Sequence, residues 1–242
     1  MIKLIADLHT HTLASGHAYG TIREMAQAAA QKNLEILGIS EHGPGIPGTC
    51  HPIHLQNAKE VVPETLYGVR VVHGAEMNVL NDQSIELEDN ITHWLDYLIA
   101  GIHLLCYKNE GAEKNTDNVI VCMHHPKVRL ISHPDDDKTP LDYERLVKAA
   151  KETNTALEVN NHSLHYPQRR QNCFENYRTM LKLCKKHGVP VIVSSDAHDP
   201  CQVADFEIAL DLLEECEFPQ ELVLNTDTKK LMEFLETGYF PK

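Results

Sequence analysis

The chain has 242 residues, 42% hydrophobic and 24% charged, which excludes a disordered, collagen-like or coiled-coil chain and allows a sizeable core. Its 22 basic and 35 acidic residues leave a net charge of −13, which argues against a surface that neutralises a phosphodiester backbone or anionic lipid. Histidine is over-represented, at 16 residues, and that excess calls for a use.

Segment 2–6 (IKLIA) reads as a first strand and turns polar at Asp7-Leu8-His9-Thr10-His11, with no apolar stretch of signal-peptide length. Thr21 and Glu24 have capping-box spacing ahead of Met25, Ala28 and Ala29, so a helix starts there. Strand-length apolar runs follow at 35–40, 69–74, 97–102, 128–132, 155–160 and 189–195. They are apolar continuously rather than alternately, which fits strands buried on both faces of a parallel sheet. Between them, Thr139, Pro140 and Asp142 open a helix with Tyr143, Leu146, Val147 and Ala150 on one face. Phe174, Tyr177, Leu181 and Cys184 form a second stripe that ends in Lys185, Lys186, His187 and Gly188, as a helix C-terminus should. Val203, Phe206, Leu210 and Leu213 make the last stripe. His124-His125-Pro126 reads as a helix end, and Asp135-Asp136-Asp137 as a solvated turn after Pro134. Segments 43–68, 104–127 and 162–172 have no legible pattern and read as loops.

Seven β-then-α units without a linker predict one α/β domain over 1–242, a distorted (β/α)7 barrel related to the TIM barrel; an open doubly wound sheet is the rival. No stretch approaches the roughly 20 apolar residues of a membrane span. The seven cysteines are widely spaced, have no C-x-x-C and read as reduced thiols, so a soluble cytoplasmic protein is expected. Homo-oligomerisation is compatible with these features.

Placing the strands shows where the histidines fall. The first strand runs into Asp7, His9 and His11, which share one face because side chains two apart point the same way. The second strand ends at His42, the third at Glu76, the fourth at His103 and the fifth at His133; Asp196 and His198 follow the seventh, and His17 lies in the first loop. In a β/α barrel all these strand ends meet at one rim. His9, His11, His17, His42, Glu76, His103, His133, Asp196 and His198 exceed what one four-coordinate ion can use and suit two or three divalent ions with a bridging carboxylate. Seven imidazoles and two carboxylates favour zinc, with manganese and iron compatible, over magnesium or calcium. His162 and His165, after the sixth strand, are the nearest additional candidates, while the remaining histidines show no such convergence.

The motifs DLHTHT at 7–12, His17, SEH at 40–42, GAEMN at 74–78, GIH at 101–103, SHP at 132–134, EVNN at 158–161 and SSDAH at 194–198 together resemble the PHP family, named for polymerase and histidinol phosphatase domains. The spacing is most similar to its small stand-alone bacterial branch. The resemblance implies a distorted seven-stranded barrel, a trinuclear metal site of about three zinc ions and phosphoester hydrolysis. Carried onto this chain, it implies that His9, His11, Asp196 and Glu76 hold one ion. Glu76 would bridge to a second ion held by His103 and His133, and His17, His42 and His198 would hold the third. Family members often hold phosphate with arginines near the rim; Arg169 and Arg170 stand at the matching place after the sixth strand.

The expected function is therefore a metal-dependent phosphatase acting on a small phosphorylated substrate, with a hydroxide between two ions as nucleophile. Asp7 would orient a ligand or shuttle a proton to the leaving group, with Glu76 and Asp196 at the ions. An amidohydrolase-like enzyme would use the same centre on a C–N bond, but a bridging lysine is missing from the strand ends. A nuclease would need a basic, aromatic path for nucleic acid, which the chain does not offer. A non-enzymatic metal-binding regulatory or chaperone protein is the remaining alternative.

Overall fold

The computed structural model describes residues 2–241. Its strands are β1 (Ala6–Asp7), β2 (Ile36–His42), β3 (Thr65–Leu66), β4 (Val69–Asn78), β5 (Tyr97–Gly101), β6 (Val128–Ile131), β7 (Ala156–Asn160) and β8 (Val191–Ser194). The helices are α1 (Ile22–Gln31), α2 (Ile53–Val61), α3 (Asp89–Thr92), α4 (Ala112–Met123), α5 (Tyr143–Thr153), α6 (Asn161–His165), α7 (Cys173–His187), α8 (Glu207–Glu215) and α9 (Thr228–Thr237). Seven strands are parallel in the order β1-β2-β4-β5-β6-β7-β8, and short β3 lies antiparallel on β4. This is the expected seven-stranded β/α barrel, bent into a nearly closed cylinder, rather than the open sheet.

The gap between β1 and β8 is spanned by one side chain rather than by a continuous ladder. Asn225 Nδ2 donates to the carbonyls of Ala6 (2.9 Å) and Val193 (2.8 Å), and its Oδ1 accepts from Val193 N at 3.2 Å. Higher up, a single bridge joins Thr10 to Ala197. The first strand is accordingly shorter than its apolar run: the amide of Ile5 is taken by the Asn225 carbonyl, and β pairing begins only at Ala6.

Two apolar layers result. The outer one lies between strands and helices and holds the stripes read from the sequence, including Met25, Leu146, Tyr177, Leu181 and Leu213. The inner one fills the barrel with Ile36, Val72, Ile99, Leu130 and Ile192 and is plugged by Leu231 and Phe234 of α9. Tyr97 crosses this interior and donates its hydroxyl to the Leu8 carbonyl at 2.6 Å. It fits because β4 carries Gly74 beside it; a Cβ there would lie 2.6 Å from the ring.

Helix punctuation acts as its chemistry requires. Thr21 and Glu24 form the reciprocal capping box of α1, Asp142 caps α5 through Arg145 N, and Gly188 ends α7 with a left-handed backbone, φ 68°. His124 is the C-terminal cap of α4. Helix α4 itself falls within a segment that reads as loop. It turns Asn115, Thr116 and Asn118 inward, where Asn115 and Asn118 bond Tyr107 and the neighbouring loops, so its apolar stripe is cut down to Val119, Cys122 and Met123. The expected solvated turn at Asp135 is also corrected: its carboxylate is fully buried, 3.4 Å from Arg170 Nη1. All seven cysteines are unpaired thiols, and among the described residues no helix is long and apolar enough to cross a membrane.

Candidate metal centre

The parallel register sets the ligand-competent side chains side by side at the C-terminal ends of the strands. His42 pairs in register with Glu76, and Glu76 with Ile99 on the next strand. Two of these residues stand on unusual backbone. His133, after β6, and Asp196, after β8, have φ of 32° and 54°, a region that non-glycine residues rarely occupy. The turn aims each side chain back over the barrel mouth, a local cost of the kind concentrated at functional sites. Gly101, at the end of β5, leaves the room that His133 and Glu76 need. A Cβ there would lie 3.0 Å from Glu76 Oε1 and 3.0 Å from the His133 ring.

Glu76 stands at the centre. Its Oε1 accepts from Ser132 Oγ (2.7 Å) and lies 2.9 Å from His133 Nε2 and 3.4 Å from His103 Nε2. Its Oε2 faces His42 Nδ1 at 3.0 Å, His9 Nε2 at 3.2 Å and His11 Nε2 at 3.6 Å. Asp196 Oδ1 is 3.4 Å from His9 Nε2, 3.3 Å from His11 Nε2 and 3.5 Å from His198 Nδ1. His17 and His198 meet Nε2 to Nε2 at 3.2 Å. The rings run on without interruption: His11 stacks on His42 with centroids 4.1 Å apart, and His42 lies 4.9 Å from His17. All nine candidate ligands, eight at or just after strand ends and His17 in the first loop, are thus brought together.

The outward nitrogens are tied down. His9 Nδ1 donates to Glu158 Oε1 at 2.7 Å, His103 Nδ1 to Asn78 Oδ1 at 2.8 Å, and His198 Nδ1 to the Asp196 carbonyl at 2.9 Å. His11 Nδ1 donates to Ser15 Oγ at 3.1 Å, and Ser15 passes the chain to Glu41. Each of these bonds keeps a proton on Nδ1 and turns Nε2 inward, where it ligates once it carries no proton of its own. At the focus, His9 Nε2, His11 Nε2, His42 Nδ1 and Glu76 Oε2 are buried and have no hydrogen-bond partner. Buried polar atoms are nearly always satisfied, so four orphans on one point fit shared cations. Three groups put their donor atoms within 4.8 Å of one another: His9, His11 and Asp196; His11, His42 and His198; His42, Glu76 and His103.

Electrostatics favour the same occupant. Burial, then the neighbouring His42 and His198, push His11 well below the ordinary imidazole value, so it stands neutral and able to ligate. Burial also disfavours a charge on His9, yet Glu76, Glu158 and Asp196 outweigh it and hold a proton there that a cation would replace. Burial works against the charge on Glu76, but His9 and His103 keep the carboxylate ionised.

Other expected site residues stand apart from this focus. The Asp7 carboxylate is engaged by Ser195 N (3.1 Å), Ser195 Oγ and Ala204 N (3.0 Å), and burial raises its pKa to about 6. Arg169 and Arg170 line the pocket above His17, His42 and His103. His162 lies 6.1 Å from the His198 ring, and the ring of His165 packs against Tyr166. Sequence reading missed Glu158, Glu41, Ser15 and Asn78. A signal for two of them existed: Glu158 and Glu41 are lone carboxylates inside strands buried at every position.

Residues 7–163 match the family model described as PHP domain. The chain belongs to the PHP domain family. Proteins named "Probable phosphatase" in Acetivibrio thermocellus and Clostridium novyi are 38% and 39% identical to this PHP protein. The first alignment covers 97% of this chain and 96% of its relative; the second covers 98% and 96%. The histidinol phosphate phosphatase of Lactococcus lactis, solved with zinc, L-histidinol and phosphate, superposes with a TM-score of 0.62 at 16% identity, over 88% of this chain and 94% of that one. A chain from an archaeal ribonuclease P solved with mature tRNA superposes at 0.61, also with 16% identity, over 96% and 91%. Asp196 and His198 lie beyond the matched 7–163 span, and the fold brings Asp196 to His9 and His11, just after β1.

Proposed function

We propose that this PHP protein is a metal-dependent phosphatase that acts on a small phosphorylated substrate with its whole length as one hydrolase domain. The observation that carries this reading is the set of four orphaned atoms on His9, His11, His42 and Glu76, each on a side chain fixed from behind or shared between neighbours. His9, His11, Asp196 and Glu76 would hold one divalent ion, Glu76 with His103 and His133 a second, and His17, His42 and His198 a third. His42 Nδ1 also faces Glu76 at 3.0 Å, so it stands between the second and third groups. Imidazole-rich donors favour zinc, and the zinc in the Lactococcus lactis structure agrees with that choice. When bound, such ions supply a nucleophile from water at neutral pH and take up charge on the phosphoryl oxygens.

The chain's own residues set the geometry. Glu158, Ser15 with Glu41, and Asn78 orient His9, His11 and His103. Asp7 holds the turn at Ser195 and so positions Asp196; its three hydrogen bonds favour this role over that of proton shuttle. Water is the co-reactant: its oxygen ends on phosphorus, the bond to the leaving oxygen breaks, and the alcohol takes the proton. An assay of zinc-loaded and manganese-loaded protein on phosphomonoesters, phosphodiesters and amides tests the reading. Hydrolysis of phosphomonoesters, abolished by a chelator and restored by metal, is expected. Turnover of amides alone would make it amidohydrolase-like, and saturable metal binding without turnover of any ester would make it a binding protein.

A further inference from the structure

Above His17, His42 and His103 lies a pocket of about 260 Å³. That is just under the usual range for small-molecule sites, roughly 300–1,000 Å³, so the ligand is small. Its two walls differ in chemistry. On one side Ile46 and Ile102 lead to Leu104 and Leu105, whose side chains are left 56% and 77% exposed directly after His103. On the other stand Lys138, Arg169, Arg170 and Asp136.

The cations on that wall are not equivalent. Arg170 is committed: its Nη1 lies 3.4 Å from the fully buried carboxyl group of Asp135. Arg169 is exposed, lies over the Tyr166 ring at 4.9 Å and, among the described residues, has no carboxylate within ion-pair distance. Lys138 Nζ donates one bond to the Arg169 carbonyl at 2.7 Å and likewise has no acidic partner among those residues. Asp136 offsets part of this charge, but its Oδ1 is turned to the amides of Lys138 and Gln171. The family resemblance would set Arg169 on the reacting phosphate, but that phosphate has its counter-charge at the metal centre, so Arg169 and Lys138 are left for a different anion.

We infer that the substrate is a small phosphomonoester with an apolar carbon body and a second anionic group, a carboxylate or a second phosphate, held by Arg169 and Lys138. The body covers Leu104 and Leu105, the scissile phosphate goes to the histidines, and the far anion goes to the cationic wall. The inference rests on the phosphatase reading and adds a substrate class to it.

Three esters of one four-carbon chain test it: the phosphate of n-butanol, the phosphate ester of γ-hydroxybutyrate, and the bisphosphate of butanediol. Their leaving alcohols are alike, so differences in kcat/KM report the far end. We expect one anion-bearing ester to exceed butyl phosphate by about tenfold or more, the worth of one charged hydrogen bond near solvent. Which of the two leads identifies the group. In Arg169→Ala and Lys138→Met that ratio should shrink toward one, mainly through KM. Equal kcat/KM for all three esters in the parent protein would overturn the inference and leave the phosphatase reading intact. A ratio that survives both substitutions would overturn the assignment to these side chains. Absence of turnover on every ester, with metal bound, would overturn both readings.

Discussion

Glu158 Oε1 accepts the Nδ1 proton of His9 at 2.7 Å, with both side chains fully buried, while Glu158 Oε2 accepts from His133 N at 2.7 Å and from Asn160 Nδ2 at 3.0 Å. One carboxylate on β7 thus orients an imidazole just after β1 and the backbone of a second ligand after β6. Glu158→Gln keeps the size but turns an NH2 toward donors. Loss of an outer partner of this kind typically costs 10–100-fold in metal affinity. We expect zinc affinity, measured by chelator competition, to fall within that range, and turnover at limiting zinc to fall with it. Affinity within twofold of the parent would show that His9 needs no such support.

The orphaned nitrogens and Glu76 Oε2 also predict how metal acts on stability. A ligand at 100 times its dissociation constant adds about 2.7 kcal/mol, which in a chain of this size raises Tm by roughly 5–10 °C. Zinc-loaded protein should melt that much higher than chelated protein in a thermal scan. Glu76→Gln replaces the one carboxylate that faces five imidazoles and should abolish most of the zinc shift while leaving far-ultraviolet circular dichroism unchanged. A full shift in Glu76→Gln would place the metal elsewhere.

Much of this centre was legible because its ligands sit at the ends of apolar strands, where position alone fixes direction. His42, Glu76, His103 and His133 needed only the strand ends and the rule that they share a rim. The supporting residues Ser15 and Asn78 were less visible, because a hydroxyl or an amide becomes a partner only through contacts such as His11 to Ser15 and His103 to Asn78, which no local pattern announces. Helix α4 was hidden because Asn115, Thr116 and Asn118 break its inward stripe with polar residues, and Asp135 because a run of acids ordinarily faces water. Asn225 gave no signal, since a lone asparagine near the C-terminus has no period and no motif.

His73, on the outer side of β4, predicts a pH effect separate from the metal centre. Its ring is 4% exposed and its Nε2 has no partner. Burial lowers its pKa from 6.5 to about 4; Asp96 opposes the shift, while Lys59 and His54 add to it. The unfolded chain therefore binds a proton below pH 6.5 that the folded one refuses until about pH 4. Folding stability is fully present above pH 6.5 and is lost as pH falls through this window. His73→Leu cannot titrate. Urea unfolding of chelated protein should show the parent losing on the order of 2 kcal/mol more than His73→Leu across the window. Parallel pH profiles would assign the acid sensitivity to other groups.

Asn225 predicts what holds the barrel shut. Its side chain makes three hydrogen bonds, to Ala6 O, Val193 O and Val193 N, at the one place where parallel strands do not pair. In Asn225→Leu three buried backbone groups lose their partner, at about 1–3 kcal/mol each, although relaxation recovers part of this. A net loss of about 3 kcal/mol would lower Tm by roughly 6–12 °C. Because β1 leads into His9 and His11, and β8 leads into Asp196 and His198, loosening this seam should also weaken zinc binding. Asn225→Asp separates the two effects: its carboxylate still accepts from Val193 N but no longer donates to the two carbonyls, so an intermediate Tm is expected. If Asn225→Leu melts with the parent, closure rests instead on the Thr10–Ala197 bridge and the Asp7–Ser195 bonds above it.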